Sequence, residues 1–215
     1  MNGTKEKILD AAEGLFAEHG FGETSLRQIT TQAGVNLAAI NYHFRSKDAL
    51  IQAVFTRRID PLNQKRLAML DACEAENSNG PLPLVPVIRA LVGPMLELQK
   101  ELGERGHDFK RLMGRMYVEP GDTVRKILFE QMQTIADRFI AAFQRALPHL
   151  PTVELLWRIH FCIGVLSHTL AGTSHLEVVS KGLCDPSDAE ATTERIVAFL
   201  VAGMRAPLPA MPTRS

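Results

Sequence analysis

Every strong apolar segment of this chain repeats at intervals of three and four residues, and none alternates with the two-residue period of a half-buried strand. That regularity restricts the fold to packed helices. The first covers Thr4 to His19. Ile8, Leu9, Ala12, Leu15 and Phe16 fall on one face, Thr4 is placed to cap the start, Glu6 suits the positive first turn, and Gly20 supplies the stop. A second helix begins at Ser25, which forms a capping box with Gln28; Leu26, Ile29 and Ala33 face inward and Gly34 ends it. The third runs from Leu37 to about His43, with Asn36 as N-cap and Ile40 and Phe44 toward the core. A fourth is capped by Ser46 and carries Leu50, Ile51, Val54 and Phe55, and Pro61 is expected to kink or interrupt it.

The stretch "ENSNGPLPLVP" is a clear break, rich in Asn, Gly and Pro. Beyond it, helices are expected at about 84–103, 108–117, 121–147, 153–172 and 188–205, separated by "GERGHD", "EPGD", "LPHLPT" and "SKGLCDPSD". Thr152 should cap the helix at 153, and Ser187 with Glu190 should form a capping box for the last one. The reading is all-α, with about nine helices. A three-helix head spans 4–58, with a helix-turn-helix at about 25–44; a body spans 59–205; 206–215 is read as a disordered tail.

Two helices joined by a tight turn at Gly34 fit a helix-turn-helix, whose second helix enters the DNA major groove. That use explains an oddity: the helix at 37–43 exposes almost no charge. Long solvated side chains would hold a recognition helix off the base edges. Small residues such as Ala38 and Ala39 permit close approach and can touch thymine methyls, with the uncharged Leu37 beside them among the expected contacts; Asn36 and Asn41 offer amides to adenine or phosphate. Tyr42, His43 and Lys47 should hold the backbone on one side of the groove, and Thr24, Ser25 and Arg27 on the other.

Charge limits this reading. The whole chain is formally neutral, and residues 1–58 hold seven Lys plus Arg against six Asp plus Glu, a net of +1. Affinity leans on phosphate neutralisation, so one such head binds weakly and a dimer is needed. The other composition figures, 46% hydrophobic and 22% charged, are ordinary for a soluble protein. The three cysteines have no metal-type spacing and fit a reducing cytoplasm. The start "MNGTKEKILDAAE" has no signal-type apolar core, and the most apolar stretch, Ile159 to Gly172, is 14 residues with two His, too short to span a membrane.

The run Phe16, Gly20-Phe21, Thr24, Ile29, Ala33-Gly34-Val35, Tyr42-His43-Phe44, Ser46-Lys47 and Leu50 closely resembles the TetR family of bacterial transcriptional regulators, over residues 4 to about 58. The resemblance implies a cytoplasmic homodimer that binds a palindromic operator, most often as a repressor. Its body would dimerise through the last two long helices and hold a small-molecule effector. Asn41 stands where many members carry Tyr, and Ala38 where many carry Gly. "NLAAINYHF", "ELLWRIHF" and "AAFQRALPHLP" look like the fatty-acid-responsive PsrA-like branch, which implies a long-chain fatty acid or acyl-CoA effector.

The body offers matching chemistry. Met95, Met113, Met116, Phe129, Met132, Phe139 and Phe143 could line an apolar site, and Arg111, Arg115, Arg158 and His160 could meet an anionic head group. An aromatic or drug-like ligand fits the same walls, and a ligand-binding protein without DNA activity is the remaining alternative. Leu155, Ile159, Ile163, Leu166 and Leu170, with Ile196, Val197, Leu200, Val201 and Met204, form apolar faces that look too wide for packing within one chain, hence the two-fold dimer. No HExxH, GxSxG or phosphate loop is present, and His160 and His168 lie eight residues apart, so neither catalysis nor a metal or other cofactor is expected.

Overall fold

Capping chemistry at four positions between residues 25 and 46 sets the frame of the computed structural model, which describes residues 3–101, 108–109, 111–112, 122–171, 174–185 and 188–208. The described residues form nine helices and no strand: α1 (Thr4–His19), α2 (Leu26–Ala33), α3 (Leu37–His43), α4 (Lys47–Glu76), α5 (Leu84–Glu101), α6 (Asp122–Ala146), α7 (Thr152–Ala171), α8 (Ser174–Val179) and α9 (Ala189–Arg205). Backbone at 108–109 and 111–112 is also helical. Both halves of the Ser25–Gln28 capping box are made. The Asn36 Oδ1 accepts from the Ala39 amide at 3.0 Å, and the Ser46 Oγ from the Ala49 amide at 3.0 Å. Between them Gly34, at φ 64, lets the Val35 amide reach the Thr30 carbonyl at 3.0 Å. A side chain with Cβ would strain this left-handed corner.

Four expectations change. Thr4 is the first helical residue; Gly3 stands at the cap position and no side chain caps α1. Pro61 does not interrupt α4, which runs unbroken through it. Pro61 itself is exposed, while Ile59 and Leu62 near it are buried and hold this part of α4 in the head core. Thr152 begins α7 rather than capping it, the first amide bond running from Leu155 to the Pro151 carbonyl. Asp188, not Ser187, caps α9 through the Ala191 amide at 3.0 Å; Ser187 lies outside the described residues. The short α8 lies between the helix expected to end at 172 and the separator that begins at Ser180, a stretch the sequence reading gives to neither. Most of the helix expected at 108–117, and 209–215 of the tail, lie outside the described residues.

Two apolar cores share α4. The head core joins Ile8, Phe16 and Phe21 to Ile29, Ile40, Leu50 and Phe55, and it also takes in Met95, Phe109 and Leu112. Its Phe16, Phe21 and Phe55 rings follow one another at 5.4 and 5.5 Å. The body core gathers Leu70, Ile88, Phe139, Phe143, Leu155, Leu200 and Met204. Arg66 lies buried on α4 where one core gives way to the other, its Nε donating to the Leu91 carbonyl at 2.9 Å. Arg158 is buried too, and its Nη1 donates to the Met204 carbonyl at 2.7 Å, tying the end of α9 to α7.

α1 is pinned to α4 by ions. The buried Glu13 carboxylate accepts from the Arg57 guanidinium and from the Arg58 Nε at 2.9 and 3.1 Å. Arg57 also donates to Asp10 at 2.8 Å and Glu6 at 3.2 Å. Burial disfavours the Arg57 charge, but Glu13 and then Asp10 outweigh it and hold its pKa above the ordinary value. Removing the Glu13 carboxylate leaves two largely buried guanidinium groups without their shared partner. Glu13→Ala should destabilise the protein by about 3 kcal/mol, and Glu13→Gln by less, as measured by urea unfolding. Equal stability of Glu13→Ala and wild type would show that the grip contributes nothing to the fold.

Candidate nucleic-acid interface

The caps described above expose one continuous surface. Leu37 is 50% and Tyr42 83% exposed, and Asn36, Ala38 and Asn41 are exposed beside them. Ala39 and His43 are half-buried, and only Ile40 of α3 is fully inside. The helix therefore presents small and amide side chains outward and is held from behind by one isoleucine. Asn36 spends its Oδ1 on the cap, which leaves its amide nitrogen for a DNA acceptor. Tyr42 and His43 meet edge to face at 5.0 Å.

The flanks differ in what they have free. Arg27 is exposed on α2. The Ser25 hydroxyl and backbone are engaged with Gln28, so its first task is to hold the start of α2. Lys47 is half-buried at the start of α4 and donates to the Gly22 carbonyl at 3.2 Å. Thr24 requires a correction. Expected to contact DNA, it is fully buried and its hydroxyl donates to the Leu15 carbonyl at 3.1 Å and the Gly20 carbonyl at 2.8 Å. It fastens the turn between α1 and α2 instead.

One residue was overlooked in the sequence. Arg45 is exposed at the corner between α3 and α4 with φ 66, close in the chain to both Tyr42 and Lys47. The signal was the basic pair in "FRSKD", where a non-glycine residue in left-handed backbone aims a guanidinium outward.

The body residues separate into several groups. Phe139 and Phe143 are buried in the body core with ring centroids 6.4 Å apart, whereas Met95 belongs to the head core and Met132 packs against it. Arg111 is exposed although Phe109 and Leu112 beside it are buried. Phe129 is exposed. Met113, Met116 and Arg115 lie outside the described residues. His160 requires a second correction: it is exposed, with the Trp157 and Phe161 rings each 6.0 Å away, on the outward face of α7. Arg158 is committed to Glu154 and the end of α9. Leu155, Leu166, Ile196, Val197, Leu200 and Met204, taken as evidence of a second copy, are buried within the chain itself. The outward apolar face of the same two helices is Val153, Leu156, Trp157, Phe161 and Ile163 on α7, and Phe199 on α9, of which Ile163 is among the residues expected from the sequence.

Among the described residues no group of three or more His, Cys, Asp or Glu could hold a metal ion, and no helix is long and apolar enough to cross a membrane. The Cys162 thiol is pushed up to about 11 by burial, which makes it a poor nucleophile.

Comparison with known proteins agrees with this geometry. Residues 8–54 match the bacterial regulatory proteins of the tetR family, and residues 89–203, more than half of the chain, match the tetracyclin repressor-like C-terminal domain. Among curated proteins, the chain is 45% identical over 49 residues to a probable helix-turn-helix regulator, YttP, of Bacillus subtilis, covering 23% of this chain and 24% of that one. It is 35% identical over 79 residues to TtgR of Pseudomonas putida, covering 37% and 36%. The chain thus spans about a quarter to a third of the length of these curated relatives. Solved structures share the fold along nearly the whole chain. The fatty acid degradation regulator FadR of Bacillus halodurans gives a TM-score of 0.65 at 17% identity, covering 96% of this chain and 99% of that one. FadR of Bacillus subtilis with stearoyl-CoA gives 0.59 at 15%, covering 92% and 98%. SmeT with triclosan gives 0.59 at 22%, covering 96% and 99%; SmeT represses a multidrug efflux pump of Stenotrophomonas maltophilia.

If this surface meets DNA as expected from the sequence, its groups should divide into those that position the duplex and those that read it. Tyr42→Phe and Lys47→Ala should weaken binding to the operator and to unrelated DNA alike, and Lys47→Ala should lower the salt slope by about 1. Asn41→Ala should instead change base preference, costing about 1–3 kcal/mol at the contacted position. Fluorescence anisotropy against a panel of operator variants distinguishes the two. A shift in preferred sequence caused by Lys47→Ala would reverse the assignment.

Proposed function

The chain belongs to the tetR family of bacterial regulatory proteins, and from that premise we propose that it is a dimeric repressor released from a palindromic operator by an apolar effector. The family is one of helix-turn-helix transcriptional regulators, not enzymes. The observation that carries the reading is the outward face of α3, exposed, almost uncharged and held by caps at both ends. DNA contact falls to Arg27, Asn36, Leu37, Ala38, Ala39, Asn41, Tyr42, His43 and Lys47, with Arg45 added and Ser25 placing α2.

Two copies join through α7 and α9. The outward Trp157, Phe161 and Phe199 supply the apolar surface that a four-helix bundle buries. Two-fold symmetry then sets two recognition helices about 34–36 Å apart, one turn of DNA. Release follows from the shared core. Phe109 and Leu112, which follow α5 in the chain, sit in the head cluster with Met95. A ligand that moves these residues tilts the head and alters the spacing.

The effector is a long-chain fatty acid or its CoA thioester. The likeness to the PsrA-like branch and to FadR with stearoyl-CoA supports this. Phe139 and Phe143 of the body core would face the tail, with Met95 reached where the head core adjoins it, and Arg111 the head group; Met113, Met116 and Arg115 are proposed from the sequence alone. Likeness to SmeT with triclosan favours the second reading, an aromatic effector.

Two measurements test the proposal. A full palindrome should bind far more tightly than its half-site, with strong salt dependence; equal affinity would defeat the dimeric reading. In operator release by a homologous series of fatty acids and acyl-CoAs, potency should rise about fourfold per methylene, from about 0.8 kcal/mol buried with each. Release that ignores chain length, or that only an aromatic compound achieves, would replace the lipid with the aromatic class.

A further inference from the structure

Between α7 and α9 the chain makes a short ordered excursion. It consists of α8 and the turn after it, ending at Asp185. The turn is closed by two backbone bonds, from the Gly182 amide to the Glu177 carbonyl at 2.9 Å and from the Lys181 amide to the Val178 carbonyl at 3.1 Å. Lys181 and Gly182 take the left-handed conformations this closure needs, at φ 53 and φ 80. The Ser180 hydroxyl accepts from the Cys184 amide at 3.1 Å and fixes the following residues.

On this fixed backbone the apolar side chains point away from the protomer. Val178 is 76%, Val179 77% and Leu183 91% exposed. A linker needing only to join two helices is ordinarily small and polar. Three branched aliphatic side chains held outward together form a surface to be covered. Their place in the chain, between two helices with outward apolar faces of their own, points to what covers them. The excursion joins the two helices whose outward aromatics, Trp157, Phe161 and Phe199, form the proposed dimer contact.

We propose that residues 174–185 form a dimer arm, with Val178, Val179 and Leu183 lying against a second copy of this chain and extending the contact made by α7 and α9. The inference rests on the dimeric reading above, and the experiment keeps the two apart. Three variants of the full chain are compared by sedimentation equilibrium: Val178→Asp combined with Val179→Asp, Leu183→Asp, and Phe161→Asp on α7. All four positions are exposed, so each protomer should fold with wild-type helix content and thermal midpoint. The arm variants should raise the dimer dissociation constant about 10- to 100-fold, the loss of one or two buried aliphatic contacts. Unchanged dimerisation in both arm variants overturns the arm and leaves its surface to a different partner, even if Phe161→Asp yields monomers. Arm variants that weaken the dimer while Phe161→Asp does not support the arm and overturn the α7 contact instead.

Discussion

The position of the reading surface depends on one buried carboxylate. Glu13 projects from α1 into the guanidinium groups of Arg57 and Arg58 on α4, with Asp10 and Glu6 completing the grip. Such a cluster adds little net stability over apolar packing of equal volume, because desolvating the ions offsets most of their attraction. Its consequence is register. Apolar contacts among Ile8, Phe16 and Phe55 tolerate sliding, whereas a carboxylate between two guanidiniums has one good position. α2 and α3 are fastened to α1 through Thr24, which holds the carbonyls of Leu15 and Gly20, so fixing α1 on α4 fixes α3 as well.

That arrangement makes α4 the common part of both cores. At about 1.5 Å per residue its 30 residues extend about 45 Å. Its head end contributes Leu50, Val54, Phe55 and Ile59, and its far end Leu70 and Cys73. The two cores also meet off this helix, because Met95 of α5, with Phe109 and Leu112 beyond it, lies in the head cluster while Leu91 and Leu96 of α5 lie in the body cluster. A change in body packing therefore reaches the head by direct contact rather than through the helix alone.

Local chemistry was legible in the sequence at the caps inside the head, where a side chain acts on its own backbone, but not at the starts of α1, α7 and α9, where the caps expected from Thr4, Thr152 and Ser187 are not the ones made. Ser25 with Gln28, Asn36, Gly34 and Ser46 were all identified from spacing, and the structure makes each of those contacts. Legibility failed where long-range contacts decide. Thr24 reads as polar and therefore outward, but the carbonyls that bury it belong to α1 and the turn after it. Pro61 reads as a break, yet the buried neighbours that carry α4 past it are set by tertiary packing. Period alone could not divide α7 into two apolar faces. Leu155 and Leu166 point inward, and Trp157 and Phe161, which complete an almost wholly apolar circumference, point out. Arg66 left a readable sign that was passed over: it falls in step with Ile59, Leu62, Leu70 and Cys73 on the buried stripe of α4.

The near-neutral head also bears on how much an effector must do. With a net charge of +1 over residues 1–58, a single head gains little from phosphates, and in the proposed dimer the binding free energy would reside in fitting two heads to successive grooves at once. Moving such a dimer from about 99% competent to about 1% needs a ligand preference of about 5.5 kcal/mol for the released form. A tail burying about seven methylenes reaches that figure at about 0.8 kcal/mol each. A single aromatic group burying about 150–250 Å² at about 25 cal/mol per Å² comes close to it as well. The total energy therefore does not distinguish the two effector classes. They differ in how it accumulates: a tail adds it one methylene at a time, in proportion to chain length, and a rigid ring supplies it in a single step.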